Sequence, residues 1–151
     1  MFQGVTLRPR YAKVCSEESL FMIQRNNKLE YILPVVIWLE VIFIFSSLPG
    51  PMLPDMPSDG WRFWAHRIAH FTEYSVLGFL MTRACARICR SMGFRQIALL
   101  SVMVMGSGAF DEWHQSFVSG RSPDLLDVWF DTICGMGGVF VYKIFVWGRM
   151  R

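Results

Sequence analysis

The sequence has little charge. Only 18% of its 151 residues are Asp, Glu, Lys or Arg, against about 25% in an ordinary water-soluble domain. A disordered chain needs low hydrophobicity and high charge, so the same shortage excludes disorder. The formal net charge is only +3, too small for a nucleic-acid surface, and no nucleic-acid partner is expected. There is no GxGxxG, no Walker-type loop, no HExxH, no internal repeat and no alternating strand pattern. Cysteine is scarce as well, with four in all. Cys15, Cys85 and Cys89 fall in stretches expected to face the cytoplasm, where thiols stay reduced, and Cys134 reads as a small packing residue. Cys85 and Cys89 are one helical turn apart, but no second pair of metal ligands accompanies them. The first 30 residues lack a short apolar stretch ending in a small-residue cleavage site. The apolar run that follows is therefore expected to be a retained anchor.

Hydrophobic residues, in contrast, make up 53% of the chain and aromatics 15%, with six Trp and ten Met. The length allows one domain. Residues 31–48 read YILPVVIWLEVIFIFSSL, in which Glu40 is the only charge, and residues 96–110 and 132–142 carry none. Crossing a bilayer takes about 20 residues of helix, which flanking residues complete. These runs are too long and too regular in hydrophobicity for barrel strands. The fold class expected is all-α: an integral membrane four-helix transmembrane bundle with a polar cytoplasmic N-terminal tail. The spans are placed at 31–48, 61–82, 95–113 and 125–147, and the domains at 1–30 (tail), 31–147 (bundle) and 148–151 (C-terminus). Twelve of the fifteen basic residues then lie on one side; Arg62, Arg67 and Arg121 lie on the other. By the positive-inside rule both termini are cytoplasmic, and loops 49–60 and 114–124 face outward. The expected location is the bacterial cytoplasmic membrane.

Polar groups are costly within such helices and mark a function by default. His66, Arg67, His70 and Glu73 fall in the second span, and Asp111, Glu112, His114 and Gln115 end the third. Arg121, Asp124, Asp127 and Asp131 lead into the fourth. A rise of about 1.5 Å per residue puts Asp111 and Asp127 about 24 Å, His70 about 20 Å and Asp131 about 18 Å from the cytoplasmic edge. Three helices thus carry ionisable groups to one level in the outer leaflet. His66, His70 and Glu73 share one helix face, as do Asp124, Asp127 and Asp131, whose face continues through Gly135 and Gly138. Small residues mark helix–helix contact, so the carboxylates should be buried between helices. Gly106 and Gly108 suggest a second close approach.

The stretches FSSLP at 45–49, HRIAHFTEYSVLGFLMTR from His66, DEWHQSFVSGRS from Asp111 and DVWFDTICG from Asp127 together resemble the VanZ-like family in motif order and spacing, over residues 31–147. Where that family commonly has an Asp-Lys pair and an Asn, this chain has His66-Arg67 and Asp131. The namesake of the family is an accessory glycopeptide-resistance protein that raises tolerance to teicoplanin. The resemblance implies a small bacterial membrane protein of the cell envelope.

Three readings of the polar residues stand at this point. The first is engagement of an amphiphilic or lipid-linked ligand at the outer leaflet, such as a lipoglycopeptide or a lipid-linked cell-wall precursor. Arg121 would meet an anionic head group, and Glu73, Gln115, Asp127 and Asp131 its sugar or amine. The second is an intramembrane hydrolase or transferase, with His70 as general base and Asp111, Glu112 and Asp131 binding water or metal. A metal site of His70, Glu73, Asp111 and Glu112 or Asp131 is chemically sound, since imidazole and carboxylate suit zinc or manganese. The third is a structural network, in which a buried Arg121–Asp or His–Glu pair fixes helix packing. Membrane lipids are expected partners throughout; the sequence names neither a cofactor nor an oligomeric state.

Overall fold

The computed structural model describes residues 9–49, 59–89 and 92–148. Among them there are helices and no strands: α1 (Pro9–Ser46), α2 (Asp59–Cys89), α3 (Phe94–Gln115) and α4 (Leu125–Val141), with a π-helical segment Tyr142–Trp147 continuing α4. Helix α1 begins within the segment expected to be a tail, so residues 9–30 and the first apolar run form one helix. Residues 50–58 of the expected outer loop and 149–151 of the expected C-terminus lie outside the described residues. Two stretches, Lys28–Ser46 and Leu125–Val146, are long and apolar enough to cross a membrane. Helices α2 and α3 have the length without the apolarity, because they carry most of the polar groups.

Helix α4 lies along α2 and α3, and α1 packs on α2 with little contact to α3. The helices run up and down. Tyr31, just past the middle of α1, lies under the guanidinium groups of Arg83 and Arg87 late in α2, at 5.3 and 5.6 Å. Ser47, just past α1, meets His114 at the end of α3 at 2.9 Å.

Glycine sets the α2–α4 distance. A Cβ on Gly138 would collide with the Ser75 carbonyl and the Phe79 amide, and one on Gly78 with the Gly135 carbonyl. The two backbones therefore touch, as small residues permit in membrane bundles. Across this seam Ser75 Oγ donates to the Cys134 carbonyl at 3.2 Å. Gly108 packs on Asp131, whereas nothing lies within 4 Å of a Cβ placed on Gly106, so the expected second approach involves Gly108 alone. Trp38 ties α1 to α2 by donating its indole N–H to the Glu73 carbonyl at 2.8 Å. At the tip of the α3–α4 loop Gly120 takes φ 75°, a left-handed conformation that glycine adopts without a steric cost.

Tyr74, Leu77, Val104 and Val139 are fully buried at the centre. The exterior is apolar on all four helices: Leu33, Ile44, Ile68, Val102 and Ile133 are each more than half exposed. Asp111, Glu112, Asp127 and Asp131 are buried. Water-soluble domains almost never enclose several carboxylates while leaving so many large apolar side chains exposed; here both occur.

Candidate functional site

The buried polar groups gather where the ends of α1 and α3 meet the beginnings of α2 and α4. Local structure aims each of them inward. Asp127 and Asp131 sit one turn apart on the α4 face that Gly135 and Gly138 press onto α2. Asp124 caps α4 by accepting the Leu126 N–H at 2.9 Å, while its own N–H donates to Glu112 Oε2 at 2.7 Å. This one residue therefore starts α4 and anchors a carboxylate of α3.

His70 and Asp131 form the centre, with Nδ1 and Oδ1 2.9 Å apart. Asp131 is fully buried, and its second oxygen, Oδ2, has no hydrogen-bond partner. Glu112 is 4% exposed, and its Oε1 is likewise without a partner. One ligand atom from each of His70, Glu112 and Asp131 lies within 4.8 Å of the others. The His66 and His70 rings lie 4.3 Å apart, and Tyr74 stacks beneath His70 at 6.1 Å with a buried, unpartnered hydroxyl.

The other residues expected at the site divide. Asp111 accepts from Gln115 Nε2 at 3.0 Å, both buried on α3. Glu73 is half-buried and near enough to His70, Asp111 and Asp131 to feel their charges. Asp127 is ion-paired with Arg67, and His66 Nδ1 stands 3.9 Å from Asp127 Oδ2.

Arg121 departs from expectation. Its guanidinium donates to the Leu48 and Phe45 carbonyls at 3.3 and 3.4 Å, closing the end of α1. It forms no ion pair with a carboxylate among the described residues. Arg67, two turns inside α2, takes the place beside Asp127 instead. Sequence reasoning counted Arg67 among the polar groups of the second span but gave the carboxylate partner to Arg121, and so missed this pair. It also missed Tyr74, which resembles any core aromatic in sequence. The spacing of Arg67 one turn before His70 was the available signal.

A partly open cavity of about 570 Å³ runs between α1 and α3 over α2. Its walls are mostly apolar, including Val35, Phe43 and Met103; Asp111 and Tyr74 connect it to the cluster, and Glu40 faces it from near the end of α1. That volume falls within the range of about 300–1,000 Å³ typical of small-molecule sites. At the opposite end of the bundle, Cys85 and Cys89 have their sulfurs 4.0 Å apart. Burial and the Cys89 neighbour push the Cys85 thiol up to about 11, so it is not a reactive thiolate.

A protein-family model described as VanZ/LLP1 matches residues 26–146. No curated protein and no solved structure matches the chain.

Proposed function

The chain belongs to the VanZ/LLP1 family, and from that premise we propose a four-span protein of the bacterial cytoplasmic membrane that engages an amphiphilic or lipid-linked ligand at the outer leaflet and lowers susceptibility to teicoplanin. The observation that carries this reading is the continuity of an apolar cavity with a buried polar cluster through Asp111 and Tyr74. Such a pair of surfaces matches a molecule with a hydrophobic tail and a polar head. The tail lies between α1 and α3, where helix contact is slight. The head meets Asp111, Gln115 and Glu112, acceptor-rich groups that favour an amine or sugar hydroxyls. A lipoglycopeptide and a lipid-linked cell-wall precursor both have this chemistry.

The apolar exterior of all four helices supports the four-span topology, including α2 and α3, where His70, Asp111, Glu112 and Gln115 turn inward. The sequence puts twelve of the fifteen basic residues on the N-terminal stretch, the connection between the expected second and third spans and the C-terminus, which supports cytoplasmic termini.

Expression in a teicoplanin-susceptible bacterium tests the reading. Wild type is expected to raise the inhibitory concentration of teicoplanin, and Asp111→Asn, at equal membrane abundance, to lose that effect. Unchanged susceptibility with wild type, or full protection by Asp111→Asn, would contradict it.

A further inference from the structure

We propose that His70, Glu112 and Asp131 bind one divalent transition-metal ion. Three independent helices supply these residues, and one ligand atom from each falls within 4.8 Å of the others. All three side chains are buried: His70 is 5%, Glu112 4% and Asp131 0% exposed. Ligand atoms about 2.1 Å from a tetrahedral zinc stand about 3.4 Å apart, so an ion closes the triangle by rotation of side chains without movement of helices.

Proximity of acidic groups alone would not carry a site. The second observation is the state of the oxygens. Glu112 Oε1 and Asp131 Oδ2 are buried atoms with no hydrogen-bond partner, while the companion oxygen of each is already held. The Asp124 N–H fixes Glu112 Oε2 and the His70 ring fixes Asp131 Oδ1. The Asp124 contact is of the outer kind that orients a carboxylate toward a metal. An unmet buried acceptor is costly, and native structures keep few of them.

Charge gives the same answer. Arg67 is committed to Asp127, and among the described residues no Lys or Arg pairs with Glu112 or Asp131. Two enclosed carboxylates with one imidazole lack a matching cation, and a dication supplies it. One nitrogen and two oxygens suit zinc or manganese better than calcium, which takes six to eight oxygens. Three protein ligands leave a further coordination position for water or a ligand group.

The full-length protein, purified in detergent, stripped with a chelator and reconstituted in lipid nanodiscs, tests this with Zn²⁺ and Mn²⁺ as probes. Elemental analysis is expected to find about one equivalent of one of these ions per chain. That ion should produce a saturable rise in Tm that the chelator reverses. Glu112→Gln keeps an acceptor for the Asp124 N–H while removing a charge, and it should weaken binding roughly tenfold or more. Gly106→Leu, which fills the cavity and leaves the trio intact, should bind metal as wild type does. Loss of ligand binding there with metal retained thus separates this inference from the ligand reading. Should Glu112→Gln fail to fold, X-ray absorption of the metal-loaded wild type decides, with nitrogen and oxygen donors including one imidazole expected. No stoichiometric ion and no Tm shift in wild type would overturn the proposal. So would full-affinity binding by folded Glu112→Gln, or sulfur donors, which would move the ion to Cys85 and Cys89.

Discussion

Arg67→Leu should be the most damaging single change at a charged residue of the cluster, and Arg121→Ala one of the mildest. The Arg67 side chain is 22% exposed and that of Asp127 9%. The guanidinium also lies over the Phe130 and Phe63 rings, at 5.1 and 5.3 Å. Removing one partner of a buried pair leaves the other charge enclosed and costs about 3–5 kcal/mol. Partial exposure of the arginine head brings the expected loss to the lower end, about 3 kcal/mol. At about 2–4 °C per kcal/mol for a chain of this size, that is a fall in Tm on the order of 6–12 °C. Asp127→Asn should cost less, about 1–2 kcal/mol, because a long arginine released from its partner can reach the interface. The double variant Arg67→Leu/Asp127→Asn removes both charges and should recover part of the summed loss, giving a coupling energy on the order of 2 kcal/mol. Arg121→Ala gives up two long bonds to backbone carbonyls and should cost about 1 kcal/mol or less. Thermal unfolding of wild type and the four variants in one detergent measures all of these. Additive effects of the two single changes, or a larger loss from Arg121→Ala than from Arg67→Leu, would refute the assignment of Arg67 as the partner of Asp127.

Gly138→Ala should lower Tm, because its Cβ forces α2 and α4 apart at a cost of about 1–3 kcal/mol. Gly137→Ala, where a Cβ meets nothing within 4 Å, should raise it slightly through helix propensity, by about 0.5–1 kcal/mol. For topology, Pro54→Cys and Ser119→Cys, each in a background with the native cysteines replaced, should react with an impermeant thiol reagent in intact cells. Ser91→Cys should not, and the opposite labelling pattern would place the cluster on the cytoplasmic side.

The helices were legible because apolar runs interrupted by few charges leave little choice of structure. The start of α1 was not, since residues 9–30 are polar and a continuous helix through them has no apolar signature. Depth along a helix axis is simple arithmetic, and it brought His70, Asp111, Glu112 and Asp131 to one level before any contact was known. Pairing is different, because it depends on rotation about the axis and on loop geometry. That is why Arg121, adjacent in sequence to the α4 carboxylates, turned to α1, while Arg67 took Asp127. The α2–α4 seam was visible in Gly135 and Gly138 but not in Gly78, whose role depends on a facing backbone. Glu40 looked isolated in a run of apolar residues; it faces a cavity that forms only when α1 and α3 stand apart.

Native mass spectrometry of the protein released from membranes tests most directly whether the cluster and its cavity form a ligand site. Wild type is expected to retain one amphiphile of defined mass per chain. Gly106→Leu projects a side chain into the cavity from open space and gains about 1 kcal/mol of helix propensity, so it should fold normally and arrive empty. An identical amphiphile retained by folded Gly106→Leu, or none retained by wild type, would contradict a ligand site between α1 and α3.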